Sequence, residues 1–264
     1  MTGYHHVEHV MGMAVSIDVR DDGDGASDPG SLAEVVSWLH HVDQTFSTYI
    51  EDSPITRLGR GEIDLDAVSD EVRDILLLCE QLRDDTGGAF DAFAAPAPND
   101  TMLDPSGVVK GWSIERAAEL LERHGHANFT INAGGDIALR GRPAAAAPWR
   151  VGIRHPDQAD KMAAVLEITG SIGVATSATY ERGAHIVDPH TGQPTTELAS
   201  VTVIGPDLTL ADAYATAVFV MGVPGLEWLT GHAGYDGYAI THDATTISTP
   251  GFGRWRVESE TVPG

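Results

Sequence analysis

The residues best suited to chemistry lie in the run Leu103-Asp104-Pro105-Ser106-Gly107-Val108-Val109-Lys110-Gly111. Lys110 is one of only two lysines in the chain, the other being Lys161. It stands between two glycines, near an aspartate, just before a predicted helix. Glycine lets a ligand approach the backbone, a helix start presents free N–H groups, and an ammonium is a compact point charge. Together these groups suit a phosphate-bearing ligand, although the same letters also fit a surface turn with an ordinary lysine. Asp212 and Thr216 stand four residues apart in Ala211-Asp212-Ala213-Tyr214-Ala215-Thr216, so a helix brings them to one face on adjacent turns. A carboxylate and a hydroxyl are hard oxygen donors that suit Mg²⁺, which keeps some waters and takes further ligands from phosphate. On spacing alone the plainer reading is stronger: Asp212 complements the helix dipole and Thr216 bonds back to a carbonyl. His185, ahead of the turn Asp188-Pro189-His190-Thr191-Gly192, could serve as a general base or be an ordinary turn histidine. The glycines of Thr86-Gly87-Gly88-Ala89-Phe90-Asp91 and of Gly134-Gly135 either let a flat ring lie on the backbone or merely end a helix and close a hairpin.

Charge sharpens the question. The 264 residues carry 39 acidic and 16 basic side chains, a formal charge of −23. That balance argues against nucleic acid or an anionic membrane surface as partner. An anionic ligand needs strong local positive charge here, and a divalent cation is a natural supplement. Cys79 is the single cysteine, so neither an intramolecular disulfide nor a cysteine-based zinc site is expected, and its apolar neighbours predict a core residue. There is no apolar run long enough to span a membrane and no secretory pattern at the start, so a cytoplasmic location is expected. No Gly-x-Gly-x-x-Gly element follows a strand, and no Walker sequence is present. His5, His6, His40 and His41 fall in adjacent pairs, a poor ligand geometry, and are expected at the surface.

The elements that must position these residues follow from periodicity. Val15, Ile17 and Val19 alternate as a half-buried strand. Asp21 to Gly30 reads as a loop, and Ser31 with Glu34 as a capping box for a helix carrying Leu32, Val35, Val36, Leu39, Val42 and Phe46. Ser53-Pro54 opens a short helix, and Ser69 caps a longer one that stops at Gly87-Gly88. A helix after Lys110 runs through Ile114, Ala117, Ala118 and Leu121. Two strands, around Phe129–Ile131 and Ile137–Leu139, flank a tight turn. Further strands are predicted at Trp149–Ile153, Ala164–Ile168, Ile172–Ala175 and Val201–Ile204. Thr209 is expected to cap a helix through Met221, with a short helix after Pro224 and three short strands from Tyr238 onward. Short turn-linked strands mixed with helices make the fold class α+β, with mixed, mostly antiparallel sheets and packed helices.

The order of the fragments is more specific than any one of them. Met11-Gly12, Phe46-Ser47-Thr48-Tyr49 with Ser53, Thr86 to Asp91, Asp104 to Gly111, Gly134-Gly135-Asp136, Thr176-Ser177, His185 to Gly192 and Asp212 to Thr216 follow one another along nearly the whole chain. In that order they resemble the ApbE-type flavin transferase family. The resemblance implies a single ApbE-like domain over residues 1–264, of the T-fold type. It implies a Mg²⁺-dependent FAD:protein FMN transferase that splits FAD at its pyrophosphate. Such an enzyme attaches FMN by a phosphoester to a threonine or serine of a target flavoprotein and releases AMP. The alternatives are an FAD pyrophosphatase giving FMN and AMP, and a non-catalytic FAD-binding module. By similarity, Asp212 and Thr216 hold the metal with the Gly107 carbonyl as third ligand, and Asp104 and Lys110 contact FAD. Met11, Tyr49, Ala89, Phe90, Asp91 and the backbone near Ile186 line the flavin nucleotide site, and His185 is the base for the incoming hydroxyl. Met13, Pro105, Trp112 and Ala178 depart from the commoner family residues, but none of them is an implied metal ligand.

Overall fold

A computed structural model describes residues 3–21, 29–94, 97–144, 147–158, 160–179 and 186–257. In chain order the strands are β1 Tyr4–Val10, β2 Met13–Val19, β3 Phe129–Ala133, β4 Asp136–Arg140, β5 Trp149–Arg154, β6 Met162–Ile168, β7 Ile172–Ala178, β8 Val187–Asp188, β9 Gln193–Pro194, β10 Leu198–Gly205, β11 Asp236–Thr241 and β12 Thr246–Ser248. Eight of them form one sheet in the order β1-β2-β3-β4-β7-β10-β11-β12. Every neighbouring pair in that sheet is antiparallel. The strands β5 and β6 make a separate hairpin, and β8 with β9 a shorter one.

The helices are α1 Pro29–Phe46, α2 Pro54–Gly59, α3 Asp70–Asp85, α4 Ser106–Arg123, α5 Leu208–Met221 and α6 Val223–Leu229. Helix α5 packs on α4 and on the sheet at β7 and β10, and α4 packs on α1. One core lies under these helices and includes Val35, Leu39, Ile114, Leu121, Ile131 and Val218. The other face of the sheet is covered by the β5–β6 hairpin, around Leu139, Val151, Leu166, Val174 and Phe252. The sheet is thus a middle layer, which is why all eight residues of β10 are buried while β2 buries alternate residues.

Local signals explain most boundaries. Ser53 and Ser69 cap α2 and α3 by accepting from Thr56 N and Val72 N. Asp70 and Glu71 in the first turn of α3, with Arg83 in the last, complement its dipole. Cys79 is buried, and burial pushes its thiol up to about 12, so it carries no reactive thiolate.

Five expectations change. Helix α4 begins at Ser106, so Lys110 lies inside it rather than before it; Asp104 Oδ1 accepts from Ser106 N at 3.0 Å and starts the first turn. Helix α5 is capped by Asp207, which accepts from Leu210 N at 3.0 Å, so Thr209 is already inside. Ser31 and Glu34 form no capping box: Ser31 is buried within α1 at 3.0 Å from His126 Nε2, and Glu34 pairs with His124 at 2.7 Å. Strand β1 has no counterpart among the sequence-based expectations. Among the described residues, the C-terminal segment gives two strands and a 3₁₀ turn at Phe252–Arg254 where three strands are expected. The expected loop from Asp21 falls mostly on residues 22–28, outside the described residues. Of the paired histidines, His40 and His41 are exposed and stand beside Glu8 and Glu71.

Candidate active site

The site is built where α4 meets α5. Gly111 makes the meeting possible: a methyl at that position would lie 2.6 Å from the Leu208 carbonyl oxygen and 2.7 Å from Asp212 Cβ. Without a side chain, its N–H donates directly to Asp212 Oδ2 at 2.8 Å. Gly111→Ala is therefore expected to push the helices apart and cost about 1–3 kcal/mol, by the usual scale of overpacking. Urea denaturation checks this, and an unchanged midpoint contradicts the close-approach role.

Beside that contact lies a compact charge cluster. Lys110 Nζ is 2.8 Å from Asp136 Oδ2 and 3.8 Å from Asp212 Oδ1. Asp136 opens β4 directly after Gly134 and Gly135, whose positive φ angles of 60° and 101° make the β3–β4 turn. Its other oxygen accepts from Thr176 N on β7 at 3.1 Å. Both carboxylates are buried. Burial raises the Asp212 carboxyl well above its usual range, neighbouring Asp136 raises it further, and Lys110 offsets only part of this. When both carboxylates are ionised they outnumber the one ammonium, and that excess of negative charge suits a cation.

Thr216 follows Asp212 by one turn of α5, with its Oγ1 3.5 Å from Ser177 Oγ on β7. Gly107 packs against it: a methyl there would lie 3.8 Å from Thr216 Cγ2 and 3.1 Å from the Phe90 ring. Asp212, Thr216, Gly107, Lys110 and Phe90 are thus brought together from distant parts of the chain. Asp104 stands just before α4, where its N–H donates to the Ala92 carbonyl at 2.8 Å and holds the 89–94 segment alongside. Met11 reaches α4 from the β1–β2 turn with a φ of 54°, its Sδ 3.9 Å from Ser113 Oγ.

Other sequence-based candidates are placed differently. Ala89 and Phe90 are buried, but the Asp91 carboxylate turns to Arg83 at 3.2 Å and to Phe93 N at 2.8 Å. Ile186 is half-buried against the helical-side core, and its carbonyl accepts from Thr195 N at 3.2 Å. Tyr49 is 76% exposed, so its ring is open to a ligand but is not fixed by packing. His185 lies outside the described residues. Asp136 is a member of the charge cluster to which sequence reasoning assigned no role, although the Gly-Gly-Asp turn that places it was visible.

The ApbE family model matches residues 11–99 and 94–238, most of the chain. The chain belongs to the ApbE family. Among its relatives is the FAD:protein FMN transferase of Klebsiella pneumoniae, 32% identical over 160 residues, covering 57% of this chain and 45% of that protein. A second, the FAD:protein FMN transferase of Vibrio cholerae, is 26% identical over 252 residues and covers 75% of each. The chain thus matches about 45% of the length of the Klebsiella relative. The fold agrees with solved ApbE structures: the flavin transferase ApbE of Vibrio cholerae superimposes with a TM-score of 0.84 at 24% identity, over 96% of this chain and 98% of that one. The ApbE protein of Thermotoga maritima gives a TM-score of 0.83 at 22% identity, over 97% and 99%. The ApbE fold here is the antiparallel sheet layered between helices and a hairpin, with the charge cluster at the α4–α5 contact.

Proposed function

We propose that this ApbE-family chain is a Mg²⁺-dependent FAD:protein FMN transferase acting as one domain over residues 1–264. It cleaves the FAD pyrophosphate, joins FMN by a phosphoester to a threonine or serine of a target flavoprotein, and releases AMP. The observation that carries this reading is the buried cluster in which Lys110 stands 2.8 Å from Asp136 and 3.8 Å from Asp212. An otherwise acidic protein has kept one of its two ammonium groups there.

The residues fit Mg²⁺. Among the described residues no three or more His, Cys, Asp or Glu side chains gather as a metal cage. Mg²⁺ does not need one, since it takes one or two carboxylates and fills its remaining positions with water and phosphate oxygen. Asp212, Thr216 and the Gly107 carbonyl would hold it, and bound there it supplies neutralisation of pyrophosphate charge. Lys110 binds a phosphate oxygen from the other half of the cluster. Two unit charges 4 Å apart interact by about 4 kcal/mol at an effective dielectric of 20, enough to matter beside so many carboxylates. Phosphoryl transfer rewards positioning and charge stabilisation above covalent help. Asp104 contacts FAD at the start of α4, while Met11, Tyr49, Ala89, Phe90, Asp91 and Ile186 line the flavin nucleotide site. His185 accepts the proton of the target hydroxyl as its oxygen bonds to the FMN phosphorus and the bond to AMP breaks.

The test is mass spectrometry of a candidate flavoprotein incubated with this protein, FAD and Mg²⁺. An FMN adduct on threonine or serine is the expected result. Steady AMP release without any acceptor supports the pyrophosphatase instead, and stoichiometric FAD binding with no AMP supports a binding module. Among the described residues no helix is long and apolar enough to cross a membrane. A cytoplasmic location belongs to the same proposal and is checked by cell fractionation.

A further inference from the structure

We propose that Glu115 is a positioning residue, a clamp that sets the spacing of Lys110, Asp136 and Asp212. Its kinetic consequences rest on the transferase reading above, but its structural consequence does not. Glu115 lies on α4, five residues beyond Lys110. Its Oε2 accepts from the N–H of Leu208, the first residue of α5, at 3.1 Å. Its Oε1 pairs closely with Nη2 of Arg140, the last residue of β4. One carboxylate therefore ties together the three elements that carry the charge cluster. Each cluster residue stands four or five positions along its own element from the clamp: Lys110 from Glu115, Asp136 from Arg140, and Asp212 from Leu208.

The surroundings make the clamp stiff. Glu115 is 9% exposed and Arg140 4%. Arg140 also donates from Nε to Glu122 at 3.1 Å and from Nη1 to the Leu139 carbonyl at 3.1 Å. The Arg140 carbonyl accepts from Trp149 Nε1 at 3.0 Å, which extends the tie to the hairpin on the far face of the sheet. A guanidinium is a planar fork, so its partners fix direction as well as distance. The Leu208 N–H is one of the unpaired donors at a helix start, and a carboxylate there also suits the helix dipole. Buried ion pairs contribute little net stability compared with apolar residues of similar volume. A fold that needed only cohesion would be served as well by Met and Leu. A reaction centre is different, because a misplacement of about 1 Å can cost about 100-fold in rate.

The double variant Glu115→Met with Arg140→Leu separates the two roles. The two lysines give a direct readout: with lysine labelled at ¹³Cε, NMR should show one signal for Lys110 in its cluster and one for exposed Lys161. The double variant is expected to keep its melting temperature within a few degrees, while the Lys110 signal moves towards that of Lys161. Mn²⁺ affinity, measured by electron paramagnetic resonance in the presence of FAD, should fall at least tenfold, and kcat about 100-fold. Glu122→Gln, which alters only an outer partner of Arg140, should leave all four at wild-type values. Should the double variant fail to fold, Glu115→Gln is used; its amide oxygen can still accept from Leu208 while the ion pair is lost. A folded variant of either kind with a wild-type Lys110 signal overturns the proposal. A wild-type protein without turnover speaks against the transferase reading, and the lysine signal still decides this one.

Discussion

Asparagine in place of Asp212 is expected to end Mg²⁺-dependent turnover of FAD and, in the metal-free protein, to raise the melting temperature. The two effects have one cause. Burial and the neighbouring Asp136 raise the Asp212 carboxyl well above its usual range, so its charged form destabilises the fold. Below about pH 4 the carboxyl is protonated in both folded and unfolded chains, and that cost is absent. As pH rises from the unfolded value towards the raised folded value the cost grows, and above the folded value it is complete. The asparagine variant should therefore gain most at neutral pH and nothing near pH 3. Its amide oxygen can still accept from the Gly111 N–H, which donates to Asp212 at 2.8 Å, and Lys110 keeps Asp136 at 2.8 Å. The gain should be a few degrees, since each kcal/mol is worth about 2–4 °C in a domain near this size. Turnover should fall by at least about 100-fold, the upper range for outer-shell partners of a metal, because the proposed direct ligand is lost. Calorimetry in EDTA against pH and an AMP-release assay test both halves. A lower melting temperature, or surviving turnover, rejects the assignment.

Lys110→Met should have the opposite effect on stability and should weaken FAD binding. Asp136 is fully buried, and its Oδ2 faces the ammonium at 2.8 Å. Removing one partner of a buried pair costs about 3–5 kcal/mol, because the other charge remains uncompensated. That corresponds to a melting temperature lower by roughly 6–20 °C. FAD affinity should fall at least tenfold, read by quenching of flavin fluorescence. The double variant Lys110→Met with Asp136→Leu should recover most of the stability and none of the affinity. Wild-type FAD binding in a folded Lys110→Met protein would refute the phosphate role.

The parts of the fold that could be read from sequence are those whose periodicity matches their burial. The helix from Asp70 to Asp85 and the strands around the Gly134-Gly135 turn are of this kind, with apolar residues at regular spacing and strong end signals. The strand Tyr4–Val10 is hidden in the sequence because it is an edge strand in which exposed His5, Val7 and His9 alternate with partly covered Tyr4, His6 and Glu8, and only Val10 is buried. The start of α4 was misplaced because Pro105, Gly107 and Gly111 read as turn residues. In the folded chain the two glycines serve close packing, Gly107 against Phe90 and Gly111 against α5. At the site, the pairing of Asp212 with Thr216 was legible because helical spacing is local. The partnership of Lys110 with Asp136, and of Glu115 with Arg140, was not, since it depends on how a strand from a later hairpin lands beside α4. No periodicity in one segment encodes that landing.

The order in which the chain is made gives the charge cluster a built-in delay. Lys110 and Asp136 leave the ribosome well before Asp212, and β7, which pairs with both β4 and β10, must be laid down between them. Contacts of such long sequence separation form late and slowly. A nascent polypeptide that ends at β10 therefore has its ammonium and one carboxylate but not the helix that completes the proposed cation seat. On the transferase reading proposed above, newly made chains should leave flavin dinucleotide untouched until the final fifth of the protein has docked.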